Sequence, residues 1–303
     1  MSTIIIGGSG FIGRNLIIAL KKRGVKPVVA DLNPPSDPDL DYIKIDPGVS
    51  MEELLCLKET DVVYHLAWTT TPGPANQNPI YDVSSNITMS LQILEACVKG
   101  NVKKLIFASS GGTVYGIPNS LPIKESHPTN PINSYGLTKL TVEKYLHLFH
   151  YLYGLDYIII RPSNPFGKYQ NPNNSQGVVA KLIKNCIENN TTEIWGDGSI
   201  VRDFFYVDDL AEALISVADY STTSSARIFN VGSGKGTSLN ELIKIVETVL
   251  DVIPIVKYMP GREIDVPSNV LDIKLIEDNI GWYPKWNLEK SIKHTFDWMQ
   301  ESL

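Results

Sequence analysis

Cysteine is scarce in this chain of 303 residues. The three cysteines, Cys56, Cys97 and Cys186, are odd in number and far apart, so they provide neither a disulfide framework nor the ligand spacing of a structural zinc site. Histidine is also scarce, with five residues. His147 and His150 share a predicted helix face, but we interpret them as surface residues and expect no metal site.

The sequence also lacks long apolar runs and an excess of positive charge. No run reaches the ~18 apolar residues of a membrane-spanning helix. The chain starts on Ile4-Ile5-Ile6 without the basic segment and apolar core of a signal peptide. A net charge of -6 opposes binding to the phosphate backbone of nucleic acids. We therefore expect a cytoplasmic protein with neither a membrane nor a nucleic-acid partner.

What is present is a repeating strand–helix pattern whose first unit contains a glycine-rich turn. The β-branched run Thr3–Ile6 is followed by Gly7-Gly-Ser-Gly10-Phe-Ile-Gly13 and then by helical periodicity. In a dinucleotide-binding unit, Gly7 permits the tight turn, Gly10 lets the backbone approach a pyrophosphate, and Gly13 lets the helix pack close to the strand. The helix N-terminus then presents free N–H groups to the anion. A glycine turn without a ligand is the simpler alternative.

The second predicted strand, Val28 to Ala30, ends in Asp31. A carboxylate at this position hydrogen-bonds the adenosine ribose and repels a 2′-phosphate, so the sequence favours NAD over NADP. A third strand is predicted from Tyr42 to Asp46. We assign Asp46 either to the adenine edge or to a solvated turn.

Further strand–helix units follow along the chain. Strands are predicted at Asp61 to Ala67, Lys104 to Ala108 and Tyr157 to Arg161. A helix is predicted from Asn86 to Val98, and the proline-rich segment Thr69 to Pro79 is predicted to be a loop that covers the site. Because ligands bind beyond the carboxyl ends of parallel strands, the hydroxyl-rich segment Ser109 to Gly116 is expected at the nicotinamide end of the cofactor.

The strict alternation stops beyond about Gln170. The remaining predicted elements are a helix at Gly177–Glu188, a strand at Thr192–Trp195, an extended stretch at Arg202–Asp209 leading into a helix to Val217, and helices at Leu239–Leu250 and Leu288–Met299. The loop Gly232–Gly236 contains Gly-Lys but lacks the spacing of a phosphate loop. The sequence thus predicts an α/β fold. A Rossmann-type doubly wound parallel sheet occupies residues 1–168, with some later segments returning to it, and a smaller C-terminal α/β part in residues 169–303 binds the substrate.

The segment Asn133-Ser-Tyr-Gly-Leu-Thr-Lys139 opens a predicted amphipathic helix. Tyr135 and Lys139 are four residues apart, so both side chains lie on one helix face. A phenol with a pKa near ~10 is a poor base at neutral pH, and an adjacent ammonium lowers that pKa. The pair is therefore a candidate acid/base unit, although the spacing also recurs by chance.

Together these motifs resemble the extended short-chain dehydrogenase/reductase family, and most of all its nucleotide-sugar 4-epimerases, typified by UDP-glucose 4-epimerase. The matching segments are Gly7–Gly13, Asp31, His65–Ala67, Asn86, Ser109–Gly116, Tyr135 with Lys139, Arg161–Gly167, Arg202–Phe204, Phe229–Gly232 and Arg262 with Asp265. They run nearly from one end of the chain to the other, and their order and spacing make the resemblance specific.

The resemblance implies NAD as cofactor and a UDP-sugar as substrate. The residues implied for NAD are Gly7, Gly10, Phe11, Ile12, Gly13, Asp31, Asn33, Asp46, Leu66, Ala67, Trp68, Asn86, Ser109, Tyr135, Lys139 and Pro162. The residues implied for the substrate are Thr113, Asn164, Gly177, Val178, Trp195, Arg202, Arg262, Asp265 and Asn269. Guanidinium groups bind pyrophosphate oxygens bidentately, which suits the two arginines; a surface ion pair is the alternative for each.

Three positions bear on the catalytic groups and on specificity. The family usually has Ser or Thr where this chain has Gly111, so Ser110 or Thr113 must supply a catalytic hydroxyl beside Tyr135. Trp68 stands where a small residue is more usual and is expected to narrow the entrance. In the resembling epimerases a Tyr at the position of Asn269 goes with plain hexoses, whereas a smaller residue leaves room for an acetamido group. A turn cap is the alternative for Asn269.

We therefore predict 4-epimerisation of a UDP-hexose or UDP-N-acetylhexosamine through a transient 4-keto sugar, with Tyr135, Lys139, Thr113 and Ser110 as catalytic residues. The alternatives are an NAD(P)H-dependent reductase of a nucleotide-linked 4-keto-6-deoxy sugar and a non-catalytic nucleotide-sensing protein. The resemblance also implies a homodimer formed by the helix after Pro79 and the helix of Tyr135. The apolar residues considered for that interface, or else for the monomer's core, are Ile87, Leu91, Leu94, Tyr145, Leu146 and Phe149.

Overall fold

The computed structural model describes residues 2–45, 57, 60–173, 177–220, 226–262 and 265–302. In the first half of the chain the strands are β1 (Thr3–Ile6), β2 (Val28–Asp31), β3 (Tyr42–Lys44), β4 (Val62–His65), β5 (Lys104–Ala108) and β6 (Tyr157–Pro162). The helices there are α1 (Phe11–Lys22), α2 (Pro72–Gln77), α3 (Pro79–Lys99) and α4 (Ser134–Tyr153).

The second half contains shorter strands and five helices among the described residues. The strands are β7 (Asn164–Phe166), β8 (Thr192–Trp195), β9 (Val201–Arg202), β10 (Phe204–Tyr206), β11 (Ile228–Val231), β12 (Thr237–Ser238), β13 (Val256–Met259) and β14 (Ser268–Asn269). The helices are α5 (Val178–Glu188), α6 (Val207–Ala218), α7 (Leu239–Leu250), α8 (Lys274–Ile280) and α9 (Leu288–Ser302).

Seven strands form one parallel sheet in the order β11-β6-β5-β4-β1-β2-β3. β1 pairs with β2 on one side and with β4 on the other, so the strand order reverses between β1 and β4. Such a reversal opens a ligand-binding crevice at the carboxyl ends of the strands. The predicted α/β fold with a Rossmann-type doubly wound sheet is confirmed.

The large sheet is buried on both faces, which explains its continuous apolar strands. Ile4 and Ile6 pack into a core with α3 and α4, whereas Ile5 packs into a second core with α1 and α6. A third core joins α5, α7 and α9 to β7 and β10. β11 pairs with β6 at the sheet edge, so a segment after residue 168 completes the large sheet. The domain boundary at 168 stays a prediction.

Two prolines mislead the prediction of helix starts. The predicted loop Thr69–Pro79 is wrong in part, because α2 occupies Pro72–Gln77 and α3 already begins at Pro79. Proline is favourable at the first position of a helix, where its missing N–H costs no hydrogen bond. Asn78 caps α3 by accepting the Tyr81 N–H at 3.1 Å. The earlier start of α3 matters because its first turns line the candidate site.

Neither a membrane-spanning helix nor a metal-binding cluster is found among the described residues. In these ranges no helix combines the length and apolarity needed to cross a membrane. Nor does the described part of the chain group three or more His, Cys, Asp or Glu side chains where they could hold a metal ion.

Candidate active site

A cleft of about 880 Å³ lies at the carboxyl ends of β1, β2 and β4. Ten residues implied for NAD line it: Gly7, Gly10, Phe11, Ile12, Gly13, Asp31, Asn33, Leu66, Ala67 and Trp68. α3 contributes further lining residues that the sequence analysis missed: Tyr81, Ser84, Ser85, Met89, Gln92 and Ile93. The first three of these precede Asn86, where the helix was predicted to begin. Asp46 lies outside the described residues.

The glycine turn has the geometry of a phosphate cradle. Gly7 has φ +89°, and a Cβ there would lie 2.5 Å from the Ala67 nitrogen. A Cβ on Gly13 would lie 2.4 Å from the Gly7 carbonyl oxygen, so both positions require glycine. Gly10 is the N-cap of α1 and no side chain caps that helix. The N-terminal N–H groups and the helix dipole are therefore available to an anion.

Asp31 connects the end of β2 to this cradle. Its carboxylate accepts the Ser9 N–H at 2.9 Å and the Asn33 N–H at 3.1 Å. These bonds hold the second strand's carboxylate beside the glycine turn, in the wall of the cleft. The cradle and the adjacent carboxylate fit a dinucleotide whose ribose hydroxyls are free, as in NAD.

Tyr135 and Lys139 lie in the first two turns of α4, which Asn133 caps by accepting the Gly136 N–H at 2.8 Å. The Lys139 side chain is 3% exposed. Its Nζ donates to the Ala108 carbonyl at 2.7 Å and lies 3.6 Å from the centre of the Trp68 ring. The Lys139 ammonium is therefore held at the end of β5 and covered by an indole from the cleft wall.

Burial governs the protonation of the pair. It raises the pKa of Tyr135, with the Asp82 carboxylate as a further cause, and it lowers the pKa of Lys139 well below the ordinary value. The prediction that Lys139 lowers the pKa of Tyr135 is therefore wrong for this structure. The Lys139 Nζ has turned towards Ala108 and Trp68 and lies 5.8 Å from the Tyr135 ring centre, so desolvation of the phenolate dominates.

The three candidate hydroxyls have different surroundings. Ser109 donates to Glu143 Oε1 at 2.5 Å, so its side chain is engaged behind the site, and the Ser110 side chain is partly exposed. The Thr113 Oγ1 is buried and has no hydrogen-bond partner among the described residues. A buried hydroxyl that lacks a partner is costly unless a ligand supplies one, which favours Thr113 over Ser110.

The backbone explains why residue 111 is glycine. A Cβ there would lie 2.9 Å from the Arg161 carbonyl oxygen and 2.5 Å from Leu271 Cδ1. The space that a Ser or Thr side chain would need is thus already filled.

Asn86 lies beneath the cleft wall and is fully buried. Its Oδ1 accepts the Thr69 N–H at 2.9 Å, and its Nδ2 donates to Asp82 Oδ1 at 3.0 Å and to Thr70 Oγ1 at 3.2 Å. The side chain therefore supports the loop after β4. Its implied contact with NAD stays a prediction, as does that of Pro162, the last residue of β6.

The residues implied for the substrate lie in the second half of the chain, apart from Thr113. Arg202 donates to the Val201 and Val266 carbonyls, and burial lowers the pKa of its guanidinium. Arg262 pairs with both Asp265 oxygens at 2.9 and 3.0 Å. It lies 5.3 Å from the centre of the Trp195 ring. The two cations are thus held by backbone carbonyls and by one carboxylate.

Asn164 and Gly177 lie at the starts of β7 and α5. Asn164 opens β7 and its N–H donates to the Asp203 carbonyl at 3.0 Å. Gly177 has φ +102° and is the N-cap of α5, whose first residue is Val178. Their implied contacts with the nucleotide stay predictions.

Asn269 is 1% exposed and joins the two halves of the site. It pairs with Arg202 in the strand register, and its Nδ2 donates to the Gly111 carbonyl at 3.1 Å. Its Oδ1 is buried without a partner among the described residues. The turn-cap alternative is wrong, because Asn269 lies within β14 and its side chain bonds a residue far away in sequence.

The loop Gly232–Gly236 surrounds an internal carboxylate. Asp203 accepts the Ser233 N–H at 2.8 Å, the Ser233 hydroxyl at 2.6 Å and the Gly234 N–H at 3.3 Å. The donors of this loop are therefore bonded to the carboxylate of Asp203.

Two buried carboxylates beside the catalytic pair were missed by the sequence analysis. Asp82, on α3, accepts four side-chain hydrogen bonds. Glu143, one turn after Lys139, pairs with Arg161 through two bonds of 3.0 and 2.5 Å. The four-residue spacing of Tyr135, Lys139 and Glu143 was a signal for Glu143, whereas no sequence motif indicated Asp82.

Comparison with known proteins agrees with this geometry. The model of the NAD dependent epimerase/dehydratase family matches residues 3–232. A UDP-glucose 4-epimerase of Mycolicibacterium smegmatis is 30% identical, and the alignment covers 99% of each chain.

Two solved structures are also similar. UDP-glucose 4-epimerase of Thermotoga maritima, solved with UDP-glucose, has a TM-score of 0.93 and 31% identity, over 100% of this chain and 99% of that chain. UDP-N-acetylglucosamine 4-epimerase of Methanobrevibacter ruminantium M1, solved with UDP-N-acetylmuramic acid, has a TM-score of 0.91 and 33% identity over the same shares. The chain therefore belongs to the NAD-dependent epimerase/dehydratase family.

Proposed function

We propose that the protein is an NAD-dependent 4-epimerase of UDP-linked hexoses. The observation that carries the proposal is the convergence, at the carboxyl ends of the strands, of a dinucleotide cradle with the partly buried Tyr135 and the buried Lys139. The relatives named above, which act as UDP-sugar 4-epimerases, support the same activity. NAD held by the glycine turn and Asp31 would supply the hydride chemistry, by which C4 of the sugar is oxidised to a ketone and then reduced on its opposite face.

The chain's own residues bind the cofactor and move the proton. The glycine turn and Asp31 hold the dinucleotide. Tyr135 takes the proton from the C4 hydroxyl and gives it back after the sugar has turned. Because burial raises the pKa of Tyr135, positive charge next to the phenol would favour its ionised form. Thr113 Oγ1, buried and unpartnered, bonds the same sugar oxygen.

The substrate side provides cations and one amide. Arg202 and Arg262 suit the diphosphate, and Arg262 exchanges its bond with Asp265 for a phosphate oxygen. Asn269 brings a buried acceptor, Oδ1, next to the Gly111 carbonyl. An acetamido N–H is a suitable donor to that oxygen, so we propose that UDP-N-acetylhexosamines are accepted together with plain UDP-hexoses.

The alternatives fit less well. Asp31 in the wall of the cleft opposes a reductase that consumes NADPH, because such an enzyme needs a positive residue for the 2′-phosphate. For a reductase that consumes NADH, the need for added reduced cofactor is the distinguishing test. A non-catalytic sensor has no use for Lys139 beside Tyr135, because burying a lysine side chain costs stability.

A homodimer in the cytoplasm completes the proposal, with a changed interface. Leu94, Leu146 and Phe149 lie in the monomer's core, as the alternative held for them. Ile87, Leu91 and Tyr145 are partly buried against that core, and their place in an interface stays a prediction. The exposed apolar residues on α3 and α4 are Ile80, Tyr81, Val83, Leu137, Leu148, Tyr151, Leu152 and Tyr153. Leu137, Leu148 and Tyr151 share one helix face, which a second copy would cover in an isologous four-helix contact.

The test of the activity uses purified protein without added cofactor. Mass spectrometry of the released small molecules should identify NAD, and NMR should show interconversion of UDP-glucose and UDP-galactose. Tyr135→Phe should keep NAD and lose at least about 10²-fold in kcat, since a general acid/base is worth roughly 10²–10⁴. Turnover that requires added NADH or NADPH would instead establish the reductase. Near wild-type turnover in Tyr135→Phe would overturn the mechanism.

A further inference from the structure

The carboxylate of Asp82 is completely buried between α3 and α4. Oδ1 accepts the Thr70 hydroxyl at 2.5 Å and the Asn86 amide at 3.0 Å. Oδ2 accepts the Ser134 and Thr138 hydroxyls, each at 2.7 Å. All four partners are side-chain donors, as expected for an ionised carboxylate, which only accepts hydrogen bonds.

Two of these bonds come from the residues that directly precede the two catalytic residues. Ser134 directly precedes Tyr135, and Thr138 directly precedes Lys139. One oxygen of Asp82 thus holds two successive turns of α4. The other oxygen holds the loop after β4 and α3. A rotation or slide of α4 relative to the cleft must break the two bonds to Oδ2.

The charge of Asp82 is not balanced by a cation bonded to it, since its four partners are neutral. Among the described residues, the other titratable groups around the pair are either paired with an opposite charge or neutral. Glu143, on α4, is bonded by the guanidinium of Arg161 from β6. His65, on β4, is neutral, because burial lowers its pKa to about 3. Glu143 acts on Lys139 as well, but its carboxylate is paired with Arg161, whereas Asp82 has only neutral hydrogen-bond partners.

We propose that Asp82 is a positioning residue of the active site, whose carboxylate fixes α4 against the cleft and serves as the counter-charge of the Tyr135–Lys139 pair. This inference rests on the proposed epimerase function. A negative charge raises the pKa of every group near it. Burial raises the pKa of Tyr135 and the Asp82 carboxylate raises it further. Burial lowers the pKa of Lys139, and the carboxylates of Glu143 and Asp82 oppose that lowering. The charge of Asp82 therefore favours the ammonium form of Lys139 and the protonated form of Tyr135.

A role for the Asp82 charge predicts a change in the pH dependence of kcat, whereas a role in supporting the helix alone does not. In Asp82→Asn the shape of the side chain is kept and the charge is lost, so the pKa values of both Tyr135 and Lys139 fall. Both limbs of the pH profile of kcat should then move to lower pH, by about one unit. The kcat at the optimum should fall roughly 10-fold because the pair is held less well. A purely structural residue would lower kcat without moving either limb.

Matched variants separate charge from packing. Asp82→Glu keeps the charge and should keep the limbs in place while kcat falls. Ser134→Ala removes one bond to α4 and should also lower kcat without moving the limbs. Asp209→Asn removes another buried carboxylate, which accepts the Lys285 and Trp286 N–H groups at 3.0 and 3.1 Å; it should lower Tm and leave the pH profile unchanged. If Asp82→Asn does not fold, Asp82→Ser removes the same charge.

The experiment measures kcat and KM against pH for these variants, together with NAD affinity by calorimetry over the same pH range. In the neutral variants the loss of NAD affinity at high pH should also begin at lower pH, because Lys139 loses its proton earlier. Unmoved limbs and an unmoved NAD-binding profile in Asp82→Asn would overturn the proposal. A wild-type protein that binds NAD but turns over no UDP-sugar would refute the epimerase function alone, and the NAD-binding profile would still decide the role of Asp82.

Discussion

Replacing Gly111 by Ser tests the structural account of the missing family hydroxyl. A Cβ at residue 111 would lie 2.9 Å from the Arg161 carbonyl oxygen and 2.5 Å from Leu271 Cδ1. The carbonyl belongs to β6 and cannot move without disturbing the sheet. Leu271 is completely buried in a cluster with Val114, Tyr115 and Ile123, so its methyl group has little room to retreat. The new side chain must therefore overpack the core.

Overpacking of this kind costs about 1–3 kcal/mol, which lowers Tm by roughly 2–5 °C in a chain of this size. Gly112→Ser is the matched control, because a Cβ at the neighbouring position has no contact closer than 3.9 Å. The assay is thermal unfolding of both variants by calorimetry, with kcat measured alongside. Since Thr113 supplies the hydroxyl, Gly111→Ser should not raise kcat. Equal Tm values for the two variants, or a gain in kcat only in Gly111→Ser, would refute this reasoning.

Three further predictions follow from the site and the surface. Asp31→Ala should narrow the preference for NAD over NADP, because a carboxylate no longer repels the 2′-phosphate; calorimetric titration of the apoprotein with each cofactor measures this, and tighter NADP binding by the unmutated chain would contradict it. Asn269→Tyr should abolish turnover of UDP-N-acetylhexosamines and spare UDP-hexoses, and an unchanged ratio of the two kcat/KM values would place the pocket wall elsewhere. Leu148→Lys should convert the dimer to monomer in light scattering without changing Tm of the monomer core, whereas a wild-type protein that is monomeric at micromolar concentration would refute the interface.

The strands of the large sheet were largely predictable because they are buried on both faces. Continuous β-branched runs such as Thr3–Ile6 and Tyr157–Pro162 carry a strong signal for such strands. β11 was missed because it has four residues, among them Asn230, which is fully buried and donates to the Ile123 carbonyl. A polar residue in so short a run removes the periodicity on which prediction relies. Only tertiary hydrogen bonds make Asn230 acceptable in a core strand.

The candidate site was predictable where one short segment defines the geometry. The turn Gly7–Gly13 contains its own strand, loop and helix start, so local spacing sufficed. The protonation of Tyr135 was predicted wrongly because the pKa depends on burial, and burial arises from α3 and the strand ends. Asp82 was invisible for a related reason: its partners at 70, 134 and 138 are brought together only by the packing of α3 against α4.

The glycine-rich loops Gly7–Gly13 and Gly232–Gly236 differ in which group accepts their backbone N–H hydrogen bonds. Both offer backbone N–H groups, and in both a carboxylate of the protein takes some of them. Asp31 accepts only the Ser9 N–H of the first loop, and the N-terminus of α1 beyond it has no side-chain cap. Asp203 is fully buried within the second loop and takes the N–H groups of Ser233 and Gly234. A glycine-rich sequence thus predicts an anion-binding loop, but only the packed structure shows whether the anion is a ligand or a side chain.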